Sequence, residues 1–160
     1  MERESWDNYF LRIAVGVGTR STCNRGRQGA IIVKDRIIIT TGYAGSAPGF
    51  PHCDDVGHLM ETVTDQDGSI SEHCIRTLHA EENAILQAAE IGVAIKGSML
   101  YCTSIPCFRC AMKIIRVKIK KVIALGGYQK PERTKKLFME AGIALHVIDE
   151  TPGDYTNEIK

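Results

Sequence analysis

The sequence contains no stretch of apolar residues that approaches the roughly 20 needed to cross a membrane. Its first ten residues, MERESWDNYF, are charged and polar, and they lack the apolar segment of a secretory signal peptide. The formal net charge is only +1, so the chain also lacks the excess of basic residues that is typical of nucleic-acid-binding domains. From these absences we expect a cytoplasmic protein that binds neither membranes nor nucleic acids.

Disulfide bonds are not expected either, although the chain contains six cysteines. Disulfides are rare in proteins that are not exported, where cysteines more often bind metals or take part in catalysis. One of the six, Cys102, lies within a predicted strand and is expected to be only a small buried side chain. The other cysteines are therefore the first candidates for functional residues.

The hydrophobic pattern predicts alternating helices and strands. Apolar residues recur at helical spacing over residues 6–17, and two short strands, 29–33 and 36–40, are separated by a turn at Lys34-Asp35. The later predicted elements are a helix at 80–89, a strand at 98–103, a helix at 107–116, a strand at 121–125, a helix at 131–141 and a strand at 145–148. This order is typical of a layered α/β domain with a mixed sheet.

The domain organisation follows from the same pattern. The 160 residues, of which 44% are hydrophobic, suit one compact domain, and we place it at residues 1–148. Residues 42–77 are rich in Gly, Pro, Asp, His and Cys, so we expect an inserted loop at 43–78 that is irregular unless a bound group orders it. Residues 149–160 form a polar C-terminal tail.

Two cysteines three residues apart stand at the start of a predicted helix, in the sequence PCFRC. Cys107 and Cys110 would share one face of that helix, and the positive end of its dipole favours thiolates, the form that binds zinc. A disulfide between them would need strained geometry. His79 begins the preceding helix and supplies a third ligand, while Glu81 in the same turn is placed to accept a proton from water. The pattern predicts a catalytic zinc site with three protein ligands.

The combination of HAE at 79–81 with PCxxC at 106–110 resembles the signature of the zinc-dependent cytidine and deoxycytidylate (dCMP) deaminases. The resemblance extends over residues 6–148 and rests on STCNRGRQGAIIV, GYAGSAPGFPHCDD, HCIRTLHAEENAI, PCFRCA and IKKVIAL. It implies a three-layer α-β-α cytidine deaminase-like fold with a mixed five-stranded sheet. It also implies the conversion of dCMP to dUMP, in which a zinc-bound hydroxide attacks C4 and Glu81 moves the protons.

Three further cysteines lie outside this site, two of them in the inserted loop. Relatives in the dCMP deaminase branch often carry a structural zinc on these segments, commonly with a cysteine where this chain has His58. By that resemblance, the expected ligands of a second zinc are Cys23, Cys53, His58 and Cys74. His52 or His73 could replace one of them, and the alternative is that all are free loop side chains.

Candidate substrate contacts rest on the resemblance as well. Arg25 and Arg27 precede the first strand, where relatives place basic and hydroxyl residues, and guanidinium groups suit phosphate oxygens. Ordinary solvated arginines are the alternative. Tyr128, which follows a buried strand, is a candidate for lining the pocket, and an ordinary surface tyrosine is the alternative. The family usually has G-Y-N-G after the second strand, with an Asn that contacts the sugar, whereas this chain has Ala44, which cannot form that hydrogen bond.

Ala44 leaves the substrate open at this point. It favours either a dCMP deaminase that discriminates weakly between sugars and responds little to dCTP or dTTP, or a deaminase of another small nucleotide or amino-heterocycle base. A tRNA- or single-strand-editing protein is a further alternative, against which the near-neutral charge argues. A non-catalytic zinc-stabilised module is another, but it would not need Glu81. The expected partners are one catalytic and one structural zinc, a small nucleotide, and further copies of the chain in a dimer or hexamer.

Overall fold

One mixed five-stranded sheet with helices on both faces organises the computed structural model, which describes residues 3–64, 67–126 and 131–149. In chain order the elements are α1 (Trp6–Gly18), β1 (Gly29–Lys34), β2 (Ile37–Tyr43), α2 (Cys53–Val56), β3 (Met60–Thr64), β4 (Ile70–Cys74), α3 (Ala80–Ile91), β5 (Met99–Cys102), α4 (Phe108–Arg116), β6 (Lys121–Leu125), α5 (Glu132–Ala141) and β7 (Ala144–Ile148). The strand order in the sheet is β2-β1-β5-β6-β7. β1 is antiparallel to both β2 and β5, whereas β5–β6 and β6–β7 are parallel. The mixed α/β sheet expected from the sequence is confirmed.

The sheet separates two layers of helices. Successive side chains of a strand point to opposite faces, so neighbours such as Ile31 and Ile32 belong to different hydrophobic clusters. On one face the cluster includes Phe10, Leu11 and Ala14 of α1 with Ile31, Val33 and Ile123. On the other face it includes Ala84 of α3, Ile114 of α4 and Phe138 of α5 with Ile32, Leu100 and Val122. The result is the three-layer α-β-α arrangement.

The turn between β1 and β2 lies one residue later than expected. Asp35 and Arg36 both have positive φ angles, 52° and 63°, which a two-residue hairpin turn matched to the twist of its strands requires. The strand β1 therefore extends to Lys34, and β2 begins at Ile37 rather than at Arg36.

The segment expected to be irregular contains regular structure. β3 and β4 form an antiparallel hairpin in which Met60 pairs with Cys74 and Thr64 with Ile70, and the four-residue helix α2 precedes it. Most side chains of the hairpin are exposed, so it does not gain its order from a hydrophobic core. The expectation of an irregular segment is wrong for these residues, because backbone pairing can form a hairpin without an apolar pattern.

α3 packs on β2 at backbone contact distance. A Cβ atom on Gly42 would lie 2.2 Å from the backbone oxygen of Ala80 and 2.4 Å from the nitrogen of Ala84, so only glycine fits at this crossing. The Thr40 hydroxyl donates to the Ala84 oxygen at 2.9 Å, one turn further along the helix. These contacts fix the position of the first turns of α3 relative to the sheet. None of the helices in the described ranges is long and apolar enough to span a membrane.

Candidate metal centre and active site

Two helix N-termini meet at the candidate site. His79 is the N-cap residue of α3 and Cys107 is the N-cap residue of α4, and both have extended backbone angles. The Cys107 sulfur accepts a hydrogen bond from the Cys110 backbone N–H at 3.4 Å. Pro106 therefore precedes the cap instead of lying in the first turn of the helix. The positive ends of both helix dipoles lie at this site, and they stabilise negative charge there, such as that of thiolates.

The three expected ligand atoms are close enough to bind one metal ion. His79 Nδ1 lies 3.5 Å from the sulfur of Cys107 and 3.5 Å from the sulfur of Cys110, and all three atoms lie within 4.8 Å of one another. Zn–S bonds of about 2.3 Å and Zn–N bonds of about 2.0–2.1 Å at tetrahedral angles place sulfur and nitrogen about 3.6 Å apart. This donor set and its spacing fit a tetrahedral zinc site with one open position.

Glu81 lies in the first turn of α3 beside these ligands. Its side chain is buried, and the residue retains 6% of its accessible surface. Burial raises the pKa of the Glu81 carboxyl, and the neighbouring His79 partly offsets this. A buried carboxyl with a raised pKa, next to side chains that can bind a metal, is suited to general acid–base chemistry.

Contacts among the candidate ligands shift their pKa values. A hydrogen bond from Cys110 and another from His79 outweigh the effect of burial and lower the pKa of Cys107 to about 4. The same contact with Cys107 raises the pKa of His79. Cys102 lies on β5 with 1% of its surface exposed, and burial raises the pKa of its thiol. Cys102 is therefore the small buried side chain expected from the sequence.

A second cluster lies where α2, β4 and the segment before β1 meet. Its ligand atoms belong to Cys23, Cys53, His58 and Cys74, and all lie within 4.8 Å of one another. Cys23 Sγ is 3.6 Å from His58 Nδ1, and Cys53 Sγ is 3.5 Å from Cys74 Sγ, again close to the edges of a zinc tetrahedron. His73 instead has its Nε2 atom 3.0 Å from the Ser71 hydroxyl. His58 is thus the histidine that the fold brings to this cluster, and four ligands fit a closed site.

The thiols of the second cluster also differ in acidity. Burial and hydrogen bonding to Cys74 raise the pKa of Cys53 to about 12. Burial acts in the same direction on Cys74, but backbone hydrogen bonds from Arg76 and Leu59 outweigh it and lower the pKa of Cys74 to about 6. The thiol of Cys74, at the end of β4, is therefore more easily ionised than that of Cys53.

The two candidate phosphate ligands already have protein partners. Arg27 forms an ion pair with Asp54 at 2.8 Å and also donates to the Ser21 backbone oxygen. Arg25 Nη2 donates to the Glu72 backbone oxygen at 3.2 Å and has no carboxylate partner among the described residues. Tyr128, the other candidate, lies outside the described residues.

Ala44 is 9% exposed, and its backbone is fully engaged. Its N–H donates to the Gln28 oxygen at 3.0 Å, and its oxygen accepts from the Thr22 N–H at 3.1 Å and the Ser21 hydroxyl at 2.7 Å. The backbone of this residue therefore offers no free group to a ligand, and its side chain is a methyl group.

Sequence reasoning missed an ion pair between the two helices that provide the ligands. Lys113 of α4 pairs with Glu82 of α3 at 2.5 Å. Glu82 follows His79 by three residues and Lys113 follows Cys110 by three, so the pair lies one turn from the ligands on each helix. The matching three-residue offsets are visible in the sequence and could have indicated the pair. Only the fold shows that the two helix faces that carry Glu82 and Lys113 meet.

Comparison with known proteins agrees with this geometry. Residues 4–125 match the family model described as the cytidine and deoxycytidylate deaminase zinc-binding region. The chain is 40% identical over 162 residues to ComE operon protein 2 of Bacillus subtilis, covering all of this chain and 81% of that protein. It is 35% identical to the deoxycytidylate deaminase of Schizosaccharomyces pombe over 89% of this chain, but it spans only 44% of that enzyme.

A solved structure supports the same relationship. The dCMP deaminase of cyanophage S-TIM5, crystallised with dCMP and dUMP, superposes with a TM-score of 0.74 at 27% identity, covering 92% of this chain and all of that one. The match over three quarters of the sequence, together with the shared fold, establishes that this chain belongs to the cytidine and deoxycytidylate deaminase family.

Proposed function

We propose that this protein is a hydrolytic deaminase that converts dCMP and water to dUMP and ammonia. The observation that carries the proposal is the convergence of His79, Cys107 and Cys110 at two helix N-termini, with the buried carboxyl of Glu81 beside them. The relatives named above as deoxycytidylate deaminases support dCMP as the substrate.

His79, Cys107 and Cys110 would hold the catalytic zinc. Zinc with three protein ligands acts as a Lewis acid that makes water acidic enough to serve as a nucleophile near neutral pH. Glu81 accepts the proton of the water that adds to C4 and delivers a proton to N3. It then accepts the proton of the hydroxyl now on C4 and delivers this proton to the amino group, which leaves as ammonia while the C4 carbonyl forms. The two helix dipoles stabilise the thiolates throughout.

Arg25 is the better candidate of the two arginines for the substrate phosphate. The charge of Arg27 is compensated by Asp54, whereas Arg25 donates only to a backbone oxygen among the contacts described. We propose that Arg25 contributes a charged hydrogen bond to the phosphate and that Tyr128 lines the pocket. Arg27, through its pair with Asp54, would stabilise the segment before β1 in which both arginines lie.

Ala44 gives a specific reason to keep a second candidate substrate, another small nucleotide or amino-heterocycle base. The test is ammonia release from dCMP, CMP, dCTP, deoxycytidine, cytosine and adenosine by wild-type protein, Arg25→Ala and Ala44→Asn. We expect turnover of dCMP with weak discrimination between sugars, tighter dCMP binding in Ala44→Asn, and a KM for dCMP raised roughly 10- to 150-fold in Arg25→Ala, as for a lost charged hydrogen bond. The KM for deoxycytidine should not change in Arg25→Ala.

This experiment separates the two candidates. Zinc-loaded wild-type protein and Ala44→Asn that both fail to release ammonia from dCMP would rule out the dCMP deaminase and leave the second candidate. Equal losses on dCMP and deoxycytidine in Arg25→Ala would assign Arg25 to structure.

We also propose that Cys23, Cys53, His58 and Cys74 hold a structural zinc. The sulfur and nitrogen distances in this cluster and the exposed side chains of the adjacent hairpin support this, because a metal supplies the order that a hydrophobic core does not. None of the six cysteines, all of which lie in the described ranges, forms a disulfide bond. This is the state expected in a reducing compartment, so we propose a cytoplasmic location, testable by cell fractionation.

We propose that the chain forms a homo-oligomer, a dimer or hexamer, through the outer faces of α3 and α4. A groove of about 600 Å³ between these helices exposes Leu86, Phe108 and Met112, which association would cover. We expect Met112→Lys to shift sedimentation towards the 17.7 kDa monomer, whereas Met139→Lys on α5, where the side chain is even more exposed, should not. A wild-type protein that sediments as a monomer would contradict the proposal.

A further inference from the structure

Two amide side chains of α3 bind the outward-facing backbone of β2. Asn83 Nδ2 donates to the Tyr43 backbone oxygen at 2.8 Å, and Gln87 Oε1 accepts from the Thr41 backbone N–H at 2.9 Å. β2 lies at one end of the strand order and pairs with β1 on its other side. The amides thus occupy positions that a further strand would otherwise take.

The spacing of the two amides matches that of their partners. Four residues of a helix rise about 6.0 Å, and two residues of an antiparallel strand span about 6.8 Å. Thr41 and Tyr43 are two apart, so their backbone groups point to the same side of the strand. The side chains of Asn83 and Gln87 therefore fix the register of α3 along β2.

Segment 43–45 is attached at two points to the start of α3, the turn that carries His79 and Glu81. At one end Asn83 binds the oxygen of Tyr43. At the other end Gly45 and Leu78 exchange backbone hydrogen bonds of 3.2 and 2.9 Å. Leu78 directly precedes His79, and Asn83 follows Glu81 by two residues. The two attachments thus enclose the turn that carries the metal ligand and the proton-transfer group.

We propose that Asn83 is a positioning residue that holds segment 43–45 against this turn and thereby sets how tightly the substrate binds. The segment lies next to the ligand turn, because Gly45 is bridged to Leu78, the residue before His79. We therefore expect a bound base to lie near it. Asn83 is joined to the segment by its hydrogen bond to the Tyr43 oxygen, and in the proposed mechanism it transfers no proton. The identity of the substrate in this inference rests on the proposed function.

The informative variant is Asn83→Asp, which keeps the shape of the side chain but replaces its N–H donor with a carboxylate oxygen that faces the Tyr43 carbonyl. We expect the KM for dCMP to rise roughly tenfold, equivalent to about 1.4 kcal/mol, with kcat and zinc content close to wild type. We also expect faster hydrogen exchange at the amides of Gly45 and Leu78. Asn83→Ala, which adds no charge, should shift both measurements in the same direction and serves if the first variant folds poorly.

Gln87→Glu is the matched control. It makes the same amide-to-acid change on the same helix, but its carboxylate still accepts the hydrogen bond from the Thr41 N–H. Its KM should stay within twofold of wild type, and exchange at Gly45 and Leu78 should be unchanged. A KM in both Asn83 variants equal to that of Gln87→Glu would overturn the proposal, even if exchange changed.

The proposed function and this inference fail separately. Wild-type protein that does not deaminate dCMP contradicts the proposed function, while the difference in hydrogen exchange between Asn83→Asp and Gln87→Glu still tests the attachment. Unchanged exchange at Gly45 and Leu78 in Asn83→Asp would show that Asn83 does not hold the segment.

Discussion

Glu81→Gln should retain its zinc and its fold but lose about 10²- to 10⁴-fold in kcat, the usual contribution of a positioned acid–base group. Glutamine has nearly the same shape as glutamate, so the packing of this buried position is preserved. It cannot accept the proton of the attacking water or return one to N3 and to the amino group. Because the same carboxyl serves several proton transfers, the loss should fall on kcat rather than on KM. The measurements are ammonia release and bound zinc.

The neighbouring Glu82 provides the control. Glu82→Gln makes the same chemical change one residue later in the same turn, but it removes only the partly exposed ion pair with Lys113. Such a pair contributes at most about 1 kcal/mol, so kcat should remain near the wild-type value. Activity in Glu81→Gln comparable to that of Glu82→Gln would exclude the proposed mechanism.

Removing one ligand of the second cluster should reduce stability rather than chemistry. We expect about two zinc ions per wild-type chain and about one in Cys74→Ser. Most side chains of the adjacent hairpin are exposed, so a metal bound by this cluster would provide much of the folding free energy of this region. For a chain of this size, each kcal/mol of stability lost should lower Tm by about 2–4 °C, and the metal should account for several kcal/mol. Metal analysis and thermal unfolding measure both effects.

His73→Ala tests whether the effect comes from the metal or from the hairpin. His73 is the neighbour of Cys74 on β4, is exposed, and lies beside Ser71 instead of the cluster. Its replacement should change Tm little and leave two zinc ions bound, since exposed substitutions are usually within about 0.5 kcal/mol. A wild-type stoichiometry near one, with Cys74→Ser as stable as His73→Ala, would mean that the second cluster holds no zinc.

The sequence predicts the helices and strands that bury an apolar face, because their apolar residues recur with the period of a helix or a strand. The helices α3 and α5 end at Gly92 and Gly142, whose φ angles of 72° and 71° explain why glycine follows the last helical residues there. The ligands of the candidate catalytic site are also readable, since helix starts fix the spacing of His79 with Glu81 and of Cys107 with Cys110. Both signals are local in the chain.

Features that depend on distant segments are not readable in the same way. The hairpin of β3 and β4 is mostly exposed and has no apolar alternation, so the sequence does not predict its strands. The one-residue shift of the first turn depends on the positive φ angles of Asp35 and Arg36, which the identities of these two residues do not predict. Asn83 is an ordinary polar helix residue until the fold places it beside Tyr43.

The amides of Asn83 and Gln87 also bear on how the protein behaves at high concentration. An uncovered edge strand offers a row of free N–H and C=O groups on which a strand of another molecule can assemble, and this is a common route to aggregation. Here the outward N–H of Thr41 and the outward oxygen of Tyr43 are already bound by side chains from the same molecule. Growth of the sheet beyond β2 would first have to break both hydrogen bonds and displace α3, so the fold protects this edge without relying on proline or on like charges along the strand.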